Sequence, residues 1–306
     1  MSASLVHPVP DPSQPRPAPR DFVERSNLRG WGAVLRDCAL IAGIAWASIS
    51  LSHPLAYLVA VWAIGLLQLG LGEALTHEAS HYNLFRTRRL NDLGEIVYCL
   101  PFFFTLADYR REHREHHLYL NTDREKLHDD YASFGLLSPK RKMAWIWFVK
   151  PLLGYAGWSY LRSVVALISP RSAWKILTFW TVVGTAALLA GHLDVLVLYW
   201  IVPLLWSFAS FFYWSEIEDH YNTECGARTN VGWTNLFTHN NGYHYAHHRY
   251  PTIPWYRLPQ AHRTLFPQNP DLSKGFLDTF KQISRRDSST GSTLAKDSPD
   301  SPDSPD

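Results

Sequence analysis

Cysteine is scarce in this chain: three among 306 residues, at Cys38, Cys99 and Cys225. No two have C-x-x-C spacing, and an odd count gives no disulfide framework. Their plainest role is as small buried apolar side chains. A metal site built without them has nitrogen and oxygen donors. An excess of charge is also missing, with 29 basic against 27 acidic residues, so nothing argues for a nucleic-acid partner. No cleavable signal peptide is expected, because the N-terminus is Pro-rich and polar. Mean hydropathy is slightly negative at -0.16, which by itself speaks against a membrane protein. Polar tails and a long histidine-bearing loop dilute that average.

Aromatic residues are abundant: 13 Trp, 15 Tyr and 15 Phe. Beside apolar runs they suit membrane–water interfaces. Four such runs occur in two pairs, near residues 34–51 and 55–75, then near 174–190 and 193–214. Ser52, His53 and Pro54 separate the first pair, and Gly191 and His192 the second, which predicts two helical hairpins. Residues 1–25 are expected to be a disordered Pro-rich tail and 284–306 a disordered S-P-D tail, flanking one domain over 26–283. Two interrupted apolar stretches, 96–107 and 144–168, are expected to lie at or dip into the interface, with a fifth and sixth span as the alternative.

Basic residues support this layout. None lies in either hairpin turn; five precede or begin the first run, 15 fall between the second and third or at the start of the third, and nine follow the fourth. The positive-inside rule then places both termini and the middle loop in the cytoplasm. The expected fold is an all-α membrane protein, four transmembrane helices in two hairpins, with a cytosolic helical cap.

Three histidine clusters fall on that same side: His77-Glu-Ala-Ser-His81, His113-Arg-Glu-His116-His117 and His244-Tyr-Ala-His247-His248. Spacings of three and four place imidazoles on one helix face. Eight imidazoles exceed the three or four ligands of one zinc and suggest two metals, each with an open position. His220, at the end of the fourth run, is the candidate ninth ligand. Glu216 lies one turn before it, placed to bind metal, hold a metal-bound water or orient His220. Glu218 and Asp219 are expected to point elsewhere. His239 and Asn241 are candidates to support the third cluster from outside the ligand set, though Asn before Gly is also ordinary turn chemistry. His7, His53, His192 and His262 are expected to stand apart from the site, and His128 to be structural or to contact the ligands from outside rather than bind metal.

The boxes H-x-x-x-H, H-x-x-H-H and H-x-x-H-H resemble the membrane fatty acid desaturase superfamily. So do Asn121-Thr-Asp123 after the second box, the acid with His220, the stretch from His239 to Pro251, and Pro254-Trp-Tyr-Arg-Leu-Pro259. The resemblance covers roughly residues 35–265. It implies a non-haem di-iron centre using O₂ and external electrons on an unactivated C–H bond. Desaturation of an alkyl chain, first of all a fatty acyl group, is the expected reaction. Hydroxylation or ketolation of a lipid or terpenoid, and desaturation of a small amino-acid-derived metabolite, are alternatives. With no H-P-G-G haem signature and no Cys cluster for Fe–S, electrons are expected from a ferredoxin or cytochrome with its reductase.

Two readings of other kinds compete. His77-Glu78-x-x-His81 is also the H-E-x-x-H zinc protease pattern, with Glu78 as base. A non-enzymatic membrane receptor holding zinc is the other. Both leave the remaining histidines unexplained. The basic residues Arg86, Arg88, Arg89, Arg110 and Arg111 are expected to meet anionic headgroups; a substrate headgroup or an acidic electron donor is the alternative.

Overall fold

The computed structural model describes residues 17–285, apart from Asn121, Asp123 and Glu125. The tails beyond those limits, and two residues of the Asn121-Thr-Asp123 motif, lie outside the described residues. Helices dominate. Among the described residues four are long and apolar enough to cross a membrane: α1 (Asn27–Leu51), α2 (Pro54–Ser80), and, after the middle region, Pro170–Leu189 and Leu193–His220. Between them lie α3 (Arg88–Phe102), α4 (Leu106–Tyr119), α5 (Leu127–Phe134) and α6 (Tyr155–Leu167). The third and fourth spans are therefore α7 and α8. Short helices α9 (His244–Arg249), α10 (Leu258–Leu265) and α11 (Phe276–Arg285) follow.

Both hairpins form where the apolar runs are broken. Ser52 adopts φ 46° after α1, and His53 caps α2 by accepting from the Leu55 amide at 3.2 Å, with Pro54 opening the helix. The second turn passes through Gly191 at φ 70°. The spans differ in burial. Only 22% of the apolar window of α1 and 11% of that of α7 is buried, against 56% for α2. Trp46, Val59, Leu177 and Val182 lie bare on the outside, as suits helices facing lipid. Two spans continue well beyond their apolar runs: α2 to Ser80 and α8 to His220, so His77 and His220 ride on the spans themselves and His81 sits at the residue that ends α2.

α2 and α8 pack closely. A Cβ on Gly65 would meet Ser207 Oγ at 2.1 Å and the Phe208 amide at 2.6 Å, so only glycine allows the approach. Ser207 Oγ donates to Val61 O at 2.6 Å across that contact. Both spans contain π-helical turns, Leu69–Ala74 in α2 and Val197–Ile201 and Leu204–Phe208 in α8. In α8 these flank Pro203, which cannot donate and would clash with the carbonyl one turn back.

Neither interrupted stretch is one continuous span. The first is split between α3 and α4, which meet at 88°; the two arms together would make a fifth span only if counted as one. The second breaks at Pro151 and at Gly154, where φ is 87°, leaving the 13-residue α6.

Order also begins before the boundary expected at residue 25. Pro19–Phe22 form a 3₁₀ turn, and Phe22 is buried in a small core with Ile253, Leu258 and Ala261. At the other end α11 runs through Arg285, past the expected boundary at 283. A short parallel pair, β1 (Thr229–Asn230) and β2 (Leu272–Ser273), ties the segment after α8 to the one before α11. Buried Arg228 reaches the carbonyls of Glu218 and Tyr221 and the side chain of Gln282, pinning the end of α8 to α11.

Candidate metal centre

Four elements bring nine imidazoles together. α2 supplies His77 and, at its C-cap, His81; α4 supplies His113, His116 and His117, α8 ends in His220, and α9 carries His244, His247 and His248. Thr105 caps α4, accepting from the Asp108 amide at 3.2 Å, which fixes where the second box begins to wind. α9 is set by the turn before it. His239 and Asn240 take φ of 49° and 60°, and a Cβ on Gly242 would meet Asn230 O at 2.6 Å. Asn tolerates this left-handed region, and here the turn chemistry has a job: it aims the third box.

The histidines divide into two sets. His77, His81, His113, His117 and His247 have ligand atoms all within 4.8 Å of one another, and so do His116, His220, His244 and His248. The division follows helix geometry. Residues four apart stay together (His77/His81, His113/His117, His244/His248), while the middle histidine of each H-x-x-H-H box, His116 or His247, crosses to the other set. Adjacent residues on a helix diverge by about 100°, so His116 and His117 cannot face one point. The sets touch where the rings of His117 and His248 stack, 4.3 Å between centroids.

Nε2 atoms face each other at 2.9 Å for His81/His113, 3.0 Å for His113/His117 and 3.1 Å for His117/His247. In the second set the pairs are His220/His244 at 2.9 Å, His244/His248 at 3.0 Å and His116/His248 at 3.3 Å. Two nitrogens bound at about 2.1 Å to one ion sit about 3.0 Å apart at a right angle and about 3.4 Å apart in a tetrahedron. The observed spacings fit that range. Hydrogen bonding among the rings alone does not account for them, because each Nε2 carries at most one proton. The Nδ1–H of His220 donates to Gly226 O at 2.8 Å, leaving its Nε2 lone pair for the cluster. Nε2 of His77 is buried with no hydrogen-bond partner among the described residues. Burial, with the charge of Arg110, pulls His81 down to about 4, and burial with the His116 and His81 rings pulls His244 down to about 3. Burial likewise holds His247 and His248 well below the ordinary range. These rings stay neutral at physiological pH, the form that binds metal. All nine expected ligands are thus placed where they could hold metal.

The supporting residues differ from expectation. His239 turns away from the third box: its Nε2 meets Asp37 Oδ2 at 2.7 Å and Arg36 at 3.1 Å, and its ring packs on Trp255. Asp219, expected to point elsewhere, accepts from Ser215 Oγ at 3.1 Å and brings Oδ2 to 3.9 Å from His244 Nδ1. Glu218 does face away, accepting from Thr279 at 3.4 Å. Glu216 is absent from both ligand sets and instead faces a cavity of about 200 Å³ that reaches them. Asn241 lies on the same wall, as does Glu73, an acid the sequence reading passed over because it sits inside the second apolar run. Its E-x-x-x-H relation to His77, repeated by Glu216 and His220, is the signal that could have found it. Glu78 is not poised as a protease base: its Oε2 accepts from the Trp255 amide at 3.0 Å, away from the cavity.

The Fatty acid desaturase family model matches residues 52–279. The chain belongs to the fatty acid desaturase family. It is similar to the dihydrorhizobitoxine desaturase of Bradyrhizobium elkanii, 29% identical over 279 residues that cover 81% of this chain and 78% of that protein. A beta-carotene ketolase of Paracoccus sp. (strain PC1) is 25% identical over 252 residues, covering 77% and 92%. The human sphingolipid delta(4)-desaturase/C4-monooxygenase DES2 is 27% identical over 243 residues, covering 72% and 67%. Desaturases, ketolases and monooxygenases are all oxidoreductases, and this desaturase-family chain is one. The H-E-x-x-H protease and the zinc receptor are set aside.

Proposed function

We propose that the protein is an O₂-dependent desaturase acting on an alkyl chain through two irons held by the nine histidines. The observation that carries this is the pair of all-imidazole sets, joined at His117 and His248, with their Nε2 atoms at metal-sharing distances. Neutral nitrogen donors suit iron, and the absence of thiolate from either set fits a centre that cycles between oxidation states while open to O₂. Iron so held would supply O₂ activation and the removal of hydrogen from an unactivated C–H bond. The balance is one –CH₂–CH₂– unit, one O₂, two electrons and two protons giving one double bond and two waters. The electrons come from an external ferredoxin- or cytochrome-type donor with its reductase.

The chain's own residues position and enclose. His220 is held in one tautomer by Gly226 O, and Asp219 stands behind His244. Tyr109 donates to Glu73 at 2.7 Å, fixing one wall of the cavity beside His113. The phenyl rings of Phe208 and Phe212 line it from α8 and limit water. Oxygen insertion, as hydroxylation or ketolation, shares the hydrogen-removal step and is the second reading, favoured by the ketolase and monooxygenase relatives. The spans are read as placing both termini and the site in the cytoplasm, from the basic-residue distribution.

The test is metal content by mass spectrometry on detergent-purified protein expressed with iron and limiting zinc, followed by metabolite profiling under O₂. About two irons per chain and a new double bond are expected. A single tightly held zinc without iron would overturn the reading.

A further inference from the structure

The cap that follows α8 carries an apolar edge away from the histidines. After β1 the chain makes a 3₁₀ turn, Trp233–Leu236, on its way to the third box. Trp233 is 72% exposed and Leu236 69%, and Val231 beside them is exposed as well. α11 begins next to this turn. The Val231 amide donates to Ser273 O at 2.9 Å, and a Cβ on Gly232 would come within 3.2 Å of Gly275. The first residues of α11, Phe276 and Leu277, are exposed too, Leu277 at 61%. A contiguous apolar patch marks a contact with something other than water.

Depth decides what that contact is. Arg36 of α1 donates to Leu236 O at 2.8 Å and to Phe237 O at 3.2 Å. From the other side, a Cβ on Gly70 of α2 would meet Phe237 O at 2.2 Å. The hairpin turn before α2 is flanked by exposed Leu51 and Leu55, so hydrocarbon reaches that turn. Gly70 stands about 24 Å along α2 from Pro54, at ~1.5 Å per residue, whereas a hydrocarbon core is about 30 Å thick. The 3₁₀ turn therefore sits at membrane depth. Phe276 packs on Trp214, at the end of the apolar run of α8, with ring centroids 5.0 Å apart. α11 then climbs away from the bilayer: the Ile283 carbonyl accepts from Asn222, beyond the end of α8, at 3.3 Å.

The backbone suits that depth. Lipid offers no hydrogen bonds, so a non-helical segment there must satisfy its own polar groups. Arg36 takes the carbonyls of Leu236 and Phe237. Asn235 Nδ2 donates to the carbonyls of Asn230 and Gly232 at 2.7 and 3.1 Å, and Asn230 Oδ1 accepts from the Gly232 amide at 2.7 Å. Higher on α11 the surface turns basic. Exposed Lys281 and Arg285 follow Leu277 at four-residue spacing on one face. Side chains so placed reach anionic headgroups while Leu277 stays in the acyl layer.

We propose that this edge of the cap is a membrane-inserted wedge: Trp233, Leu236 and Leu277 enter the leaflet on the histidine side, where headgroups meet acyl chains. The partner is lipid, and the chain leading to the third box is thereby anchored in the bilayer as well as on the spans. Residues 231–237 are too few to register as a span in the sequence. The wedge does not rest on the oxidation proposed above.

The experiment is photolabelling of the unaltered full-length protein in nanodiscs, mapped by peptide mass spectrometry. One sample carries a phosphatidylcholine with a diazirine near the carboxyl end of an acyl chain, and a second receives a water-soluble diazirine. The lipid probe is expected to mark Trp233, Leu236 and Leu277, as it marks lipid-facing Leu177, and the aqueous reagent to leave all three unmarked. Aqueous adducts on the three, with Leu177 marked only from lipid, would overturn the proposal. So would protection from both reagents, and two chains per disc would then assign the edge to a second copy.

Discussion

His117 and His247 bring their Nε2 atoms to 3.1 Å from positions 130 residues apart, while their neighbours His116 and His248 face each other at 3.3 Å in the second set. Each H-x-x-H-H box therefore serves both sets. Replacing His247 by Ala should empty the first set and spare the second, lowering metal from about two to about one per chain. Replacing His116 should do the opposite. Either change should abolish product formation with the spans still inserted. Metal analysis beside a membrane-extraction profile checks this, and retained product in either variant would remove that residue from the centre.

Asp219 and Glu218 are neighbours with opposite duties. Asp219→Asn should weaken metal at the second set by about 10–100-fold, because it removes the charge behind His244. Glu218→Gln should leave metal affinity alone, since that carboxylate faces Thr279. Competition with a chelator of known affinity separates the two.

Glu78 offers a test of the protease alternative. Glu78→Gln preserves an acceptor for the Trp255 amide and should keep both metal and oxidase activity. Glu78→Ala leaves that amide unpaired and should cost about 1–3 kcal/mol of stability. A thermal melt and an activity assay on the same preparations suffice. Loss of all activity in the Gln variant would reinstate Glu78 as a base.

Gly65 is where the two ligand-bearing spans meet. Gly65→Val should force α2 from α8, at a cost of about 1–3 kcal/mol. Because His77 rides on one span and His220 on the other, metal content should fall with the melting temperature. Gly184, with no atom near its missing Cβ, is the control: Gly184→Ala should change neither.

Metal removal should be felt by the whole fold. A chelated sample keeps the buried His77 Nε2 without a partner, so its melting temperature should lie below that of the loaded protein. At a metal concentration about 100 times the dissociation constant the difference approaches ~2.7 kcal/mol. Identical melts would mean the histidines hold nothing.

Much of this is legible in the sequence. The spans could be read because apolar runs in lipid need no partner, and the hairpin turns because Pro54 and Gly191 punctuate them. The ligands could be read because spacings of three and four define helix faces. What could not be read lies in contacts made across the chain. His239 pairs with Asp37, 202 residues away. Asp37 itself is buried in the first span, where no periodicity marks it. Glu73 sits inside an apolar run where nothing in the sequence marks it, and Asp219 is aimed at His244 only by the placement of α9. Phe22 followed six prolines, a composition that hid its packing against Ile253.

The π turn at Leu69–Ala74 sets the rotational phase of everything beyond it on α2. Shortening that stretch by one residue would swing His77 and His81 by about 100° around the helix axis. The donors would remain intact, on the right helix and at the right height, and point at the wrong neighbours. The aim of the centre is thus governed by residues that never touch it, and a deletion there would act as a switch of direction rather than a loss of chemistry.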